Sequence, residues 1–199
     1  KPDLVLVHGD RLEPLACAIA CCLSNIKIGH FEGGEVSGTV DEMLRHSISK
    51  LCNIHFVTNS KAKRRLIQMG ELSKNIFITG SPDIDLILSK NLPTIEKVKK
   101  KYEINFKLFS VAIFHPVTTD LKNLKIQVKN FIKSLEISNK NYILIYPNND
   151  LGSKIILNEY KKIQNKKIKI FPSIRFEFFL TILKNSEFII GNSSSGIME

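Results

Sequence analysis

The chain has 199 residues, 29 Lys and Arg against 19 Asp and Glu, a formal charge of +10 and 43% hydrophobic residues. That supplies a core for one large domain or two small ones, and no apolar run approaches the length of a membrane span. The lysines are spread thin, as in KVKKKYEINFK and YKKIQNKKIKI, without a basic face set with aromatic platforms, so the charge argues against nucleic acid and suits an anionic small ligand.

DLVLVHGD opens the chain as a strand of apolar and β-branched residues. RLEPLACAIACCLSN follows as a helix, with Pro14 early, where proline is tolerated. Its Cys17, Cys21 and Cys22, with Cys52, lack a paired CxxC spacing and read as buried reduced thiols of a cytosolic protein. IKIGHFEGG is the next strand, and SGTVDEMLRHSISKLC a helix starting at Ser37 or Thr39. IHFVTN is a strand, SKAKRRLIQMG a helix capped by Ser60 and closed by Gly70, and NIFITGSPDID a strand ending in a Gly-Ser-Pro turn.

DIDLILSKNLPTIEKVKKKYEINFK breaks this rhythm and reads as the crossing between two domains. FSVAIFHPVT starts a second sheet, followed by a helix from about Asn123 to Ser138 and the strand YILIYPNND. KIKIFPS, the helix FEFFLTILKN and the strand EFIIGNSSS complete it. The alternation predicts parallel sheets with helices on both faces, as two doubly wound α/β units over 1–83 and 84–199 that face a shared cleft. The chain begins on a strand already under way and ends on a turn opening a helix, with no signal peptide at its start, so it reads as a piece of a longer cytoplasmic protein.

The strand ends carry the chemistry. His8 and Asp10 end the first strand, His30 and Glu32 the second, and Asp41, Glu42, Arg45 and His46 follow at a helix start. These residues admit three readings: polar groups that satisfy backbone at strand ends, metal ligands, or general acids and bases where ligands of parallel sheets bind. The spacing carries no strong metal signature. Gly33 and Gly34 permit a sharp turn or close approach to a ligand, while Asp41 and Arg45, spaced i, i+4, fit a surface ion pair. In the second half His115 ends a strand, Asn148 and Asp150 hold the same relative place, and GNSSSGIME offers a turn whose N–H groups and hydroxyls could cradle phosphate.

HGDR, HFEGGEVSGTVDEMLRH, HPVTTD and GNSSSGIME, in this order, resemble the hydrolysing UDP-N-acetylglucosamine 2-epimerases of sialic acid biosynthesis. The resemblance spans nearly the whole chain. It implies two Rossmann-like domains in the glycosyltransferase-B arrangement, with UDP between them and a dimer or tetramer in active members, and it calls for no cofactor and no metal. It implies loss of the C2 proton with departure of UDP to give a 2-acetamidoglucal, then addition of water to release N-acetylmannosamine. By position, Asp10, Glu32 and Asp41 match acidic residues around the sugar, and Glu42 fits the neighbouring acidic place. His115 matches an essential histidine, while Arg45 and His46 match a pair that orients the carboxylates. Ser193 and Ser194 match phosphate-binding serines, Asn148 a nucleotide contact and Glu199 the acid on the uridine ribose.

His8, Arg11, His30 and Gly34 complete the candidate substrate-binding set, and Asp150, Ser195 and Gly196 the nucleotide-binding set. The family's N-terminal nucleotide loop and the part beyond Glu199 are missing from this segment, so both ends of the family fold are absent. Relatives that act on UDP- or GDP-linked diacetamido-trideoxy sugars share the motifs, and a glycosyltransferase of the same architecture is the alternative from another class.

Overall fold

All strands pair in parallel, and the two sheets belong to separate units, Lys1–Asp85 and Leu86–Glu199. The computed structural model describes residues 1–38, 40–89 and 91–198. The first unit runs β1 (Leu4–His8), α1 (Leu12–Leu23), β2 (Lys27–Phe31), α2 (Val40–Leu51), β3 (Ile54–Val57), α3 (Ser60–Gln68) and β4 (Ile76–Ile78), with α4 (Pro82–Ile87) at its end.

Its strand order is β1-β2-β3-β4. Each crossover steps in the same direction, and right-handed crossovers then put the connecting helices on one face. There Val7 and Ile28 pack with Ala18 and Cys21 of α1 and Ile48 of α2, and Val57 and Ile76 pack with Ala62 and Leu66 of α3. On the other face Leu6 and Phe77 are 54% and 50% exposed, and Phe31, Phe56 and Phe77 form a ladder with ring centroids 4.7 and 6.0 Å apart. Among the described residues this face carries no buried core cluster. Among the described residues, helices cover one side of this sheet, a detail that depends on strand order, which periodicity does not report.

The second unit contains α5 (Ile95–Tyr102), β5 (Ser110–Ile113), α6 (Leu124–Ile137), β6 (Tyr142–Ile145), α7 (Ser153–Tyr160), β7 (Ile168–Phe171), α8 (Phe176–Lys184), β8 (Ile189–Gly191) and the short α9 (Ser195–Met198). Its order is β7-β6-β5-β8, so the chain reverses direction after β7. Val111 and Ile113 of β5 pack with Val98 of α5 and Phe178 and Ile182 of α8. Ala112 packs with Val128 of α6 and Ile156 of α7 on the opposite face. Both faces are covered, and the reversal creates a switch point between β5 and β8, where such sheets bind ligands. Gly191 ends β8 at φ 141°, and a Cβ there would lie 1.6 Å from the Ile113 carbonyl oxygen, so only glycine fits.

Local differences from the sequence reading have physical causes. The α3 cap is Asn59, one residue before Ser60, and its side chain accepts from Lys61 N–H at 2.9 Å and Ala62 N–H at 3.0 Å. Much of the supposed crossing belongs to the second unit, because Val98 of α5 is fully buried in its core. Cys21 and Cys52 are buried, with Cys52 pushed up to about 12 by burial, but Cys17 and Cys22 are exposed on the outer side of α1. Thr39, one of two expected starts of α2, lies outside the described residues.

Candidate functional site

The carboxyl edge of the first sheet gathers side chains from four places in the chain. The turn after β1 brings Asp10 to Arg45 of α2, and their carboxylate and guanidinium are hydrogen-bonded. Arg45 also donates to the Glu35 carbonyl at 3.0 Å and reaches the Ser37 hydroxyl at 3.5 Å. Its side chain is only 11% exposed. The i, i+4 surface pair with Asp41 thus gives way to a part-buried pair that fixes Asp10, and Asp41 meets Arg11 at 3.4 Å. Breaking such an enclosed pair leaves a charge without compensation.

Glu32, just past β2, is the most constrained carboxylate. Its backbone is left-handed at φ 62°, rare for a residue with a side chain. One oxygen meets His8 Nε2 at 3.0 Å and the other accepts from the Ser81 hydroxyl at 2.7 Å. The hydrogen bond from His8 holds the Glu32 carboxyl below its ordinary range, with Ser81 adding to it, and the same bond raises His8. The two therefore favour a carboxylate beside an imidazolium. A depression of about 350 Å³ lined by Leu6, Val7, His8, Phe31 and Pro82 adjoins His8.

Three expected site residues are engaged in contacts within the chain. His30 is fully buried, its Nε2 2.8 Å from the Gly9 carbonyl and its Nδ1 3.0 Å from the Ser49 hydroxyl. A carbonyl can only accept, so Nε2 carries the proton and Nδ1 accepts from Ser49. Burial drives this ring down to about 4, which keeps it neutral. Its part is to fix the turn between His8 and Asp10, and the substrate-binding expectation is corrected to positioning. Gly34 is buried against α3, where a Cβ would stand 2.5 Å from the Ala62 carbonyl oxygen, and Arg65 binds its carbonyl. The close approach is to a helix and not to a ligand. Glu42, expected as catalytic, accepts from the Ser37 and Gly38 N–H groups at 2.9 and 2.7 Å, which lower it from the ordinary carboxyl range. It braces the loop before α2. His46 lies half-buried on α2 with Nδ1 enclosed and unpartnered, so Arg45 alone of that pair is seen to orient a carboxylate.

Ser81 and Glu35 were not singled out from the sequence. Glu35 accepts from Thr58, and from Asn59 at 3.0 Å, tying the β2 loop to the end of β3. Ser81 sits in the Gly-Ser-Pro turn, whose place at a parallel-strand end was the available signal.

In the second unit the site candidates meet at the switch point. The His115 N–H donates to Asn192 Oδ1 at 2.7 Å, and Asn192 Nδ2 donates to the His115 carbonyl at 2.9 Å, clamping the ends of β5 and β8 together. Asn148 N–H donates to His115 Nδ1 at 3.3 Å, which leaves the proton of the neutral ring on Nε2. Ser193 accepts from the Ser195 N–H at 3.3 Å and its hydroxyl meets that of Ser195 at 3.0 Å, while Ser194 and Gly196 are exposed. Asp150 is half-buried in the turn before α7, and Glu199 lies outside the described residues. No group of three or more His, Cys, Asp or Glu among the described residues is placed to hold a metal.

Parallel α/β units with acid, base and hydroxyl groups at the carboxyl ends of their strands form the class of folds that hold ligands at that edge. A family model described as UDP-N-acetylglucosamine 2-epimerase matches residues 1–199, and the chain belongs to that family. It is 51% identical over its whole length to a UDP-N-acetylglucosamine 2-epimerase of Neisseria meningitidis, covering 53% of that protein. It is 41% identical over its whole length to a hydrolysing UDP-N,N'-diacetylbacillosamine 2-epimerase of Legionella pneumophila, again covering 53%. The chain thus spans about half the length of these relatives. A solved structure of UDP-GlcNAc 2-epimerase from Methanocaldococcus jannaschii, in complex with UDP-GlcNAc and UDP, superposes with a TM-score of 0.75 at 27% identity, covering 97% of this chain and 56% of that one.

Proposed function

We propose that the protein is a hydrolysing nucleotide-sugar 2-epimerase that converts UDP-N-acetylglucosamine and water to N-acetylmannosamine and UDP, and that it works in the cytoplasm as a homo-oligomer. The observation that carries the reading is the edge cluster of the first unit, in which Asp10, Glu32 and Asp41 are each held by a different basic side chain, Arg45, His8 and Arg11. A C2 proton is weakly acidic, so its removal needs a placed carboxylate and simultaneous departure of the leaving group. The carboxylate takes the proton, the C2–H electron pair forms the C1–C2 double bond, and the C1–O bond breaks with its pair going to UDP. Water then adds at C1, its proton taken by a base, while a proton returns to C2 from the opposite face. His115, with Nε2–H outward of its bond to Asn148, suits the diphosphate as donor, and the Ser193–Gly196 loop suits phosphate oxygens.

The relative from Legionella pneumophila supports a second reading, the same chemistry on a UDP-linked diacetamido-trideoxy sugar. The test is to supply the full-length natural protein with each sugar and separate the products. Free N-acetylmannosamine with equimolar UDP supports the first reading. UDP-N-acetylmannosamine with no free UDP would make the enzyme a non-hydrolysing epimerase, and transfer of sugar to an acceptor with C2 unchanged would make it a glycosyltransferase.

A further inference from the structure

We propose that Ser81 is the positioning residue of the active edge, holding one oxygen of Glu32 so that the other stays on His8; the inference rests on the epimerase reading above. Ser81 lies beyond β4, and Glu32 lies beyond β2, with β3 between them. The contact at 2.7 Å therefore crosses a whole strand of the sheet edge. The hydroxyl is itself oriented. It accepts from the Asp83 N–H at 3.4 Å, which directs its own proton to Glu32. The chain of bonds runs Asp83 N–H, Ser81 O–H, Glu32 carboxylate, His8.

The plain alternative is that Ser81 only caps α4, since it directly precedes Pro82 and Asp83. Two substitutions separate the roles, because Asn and Asp cap helices about as well as Ser. Asn can donate to Glu32, and Asp cannot. Asp10, Arg45 of α2 and Asp83 of α4 also act on this pair, and none of them is altered. In the full-length natural protein, Ser81→Ala and Ser81→Asp are expected to lower kcat by about tenfold or more, within the ~100-fold that a misplaced catalytic group costs, with KM nearly unchanged. Ser81→Asn should retain most of kcat. The bond from Ser81 favours the carboxylate, so losing it raises Glu32, and the acid limb of the kcat profile should move to higher pH for Ala and Asp but not for Asn.

A ligand-free readout accompanies these: the His8 ring titration followed by NMR should move down in Ser81→Ala and stay in place in Ser81→Asn. Equal behaviour of Asn and Asp, or an unmoved acid limb, would overturn the proposal and leave Ser81 a cap. If the unaltered protein turned over none of the sugars, the proposed function would fail, while the His8 titration would still decide whether Ser81 holds Glu32. Should Ser81→Ala not fold, the Asn and Asp pair carries the comparison.

Discussion

The two units follow one strand–helix rhythm and come out differently. In the second, the reversal after β7 covers both faces of the sheet and makes a switch point at β5 and β8. In the first, strands follow in spatial order, helices cover one face, and the ladder of Phe31, Phe56 and Phe77 shows on the other. The candidate site groups differ accordingly. The second unit holds His115 by backbone and amide hydrogen bonds at a strand crevice. The first holds its carboxylates by ion pairs and a hydroxyl, so its geometry depends more on pH.

Four expected outcomes sharpen that contrast, the largest first. Gly191→Ala should cost more than about 4 kcal/mol, because its Cβ meets the Ile113 carbonyl and β8 must leave the sheet. Urea unfolding followed through amide signals of the second unit would show it, and an unchanged midpoint would refute the close packing of β5 and β8. Next, Leu144→Ala in the doubly covered sheet should cost about 2–5 kcal/mol, while Leu6→Ala on the bare face should cost well under about 1 kcal/mol. Equal costs in this 199-residue chain would contradict the exposure of Leu6.

The third concerns acid. His30 is held near 4 by burial against an ordinary 6.5, so between those values the unfolded chain binds a proton that the folded one refuses. The His30 contribution to stability of the first unit should therefore fall as pH drops from about 6.5 to about 4, by at most about 3 kcal/mol, and the lowered Glu32 and Glu42 extend the loss to lower pH. His55, lowered chiefly by burial, acts in the same direction. The second unit, with His115 as its one histidine, should change little over that span. A matching loss in both units would contradict the account. Smallest of all, a chelator should leave turnover unchanged, since the proposed steps need no metal; loss with recovery on adding a divalent ion would revive the ligand reading of His8.

Strand ends were legible because apolar runs finishing on His, Asp and Glu mark the carboxyl edge of a parallel sheet, and Asp10, Glu32 and Asp41 gather there. What stayed hidden depends on contacts between distant residues. His30 and His8 share one pattern, a histidine closing an apolar run, yet one is buried on Gly9 and Ser49 and the other is half open on Glu32. Spacing suggested Asp41 for Arg45, whereas the fold delivers Asp10 from another strand. Ser81 looked like punctuation in a turn until the sheet set it opposite Glu32.

The most direct measurement is turnover of UDP-N-acetylglucosamine by the full-length natural protein in deuterated water, followed by proton NMR. The account requires free N-acetylmannosamine carrying deuterium at C2 together with UDP, and near loss of both with Asp10→Asn. Sugar released with its original hydrogen at C2, or retained in its starting configuration, would contradict it.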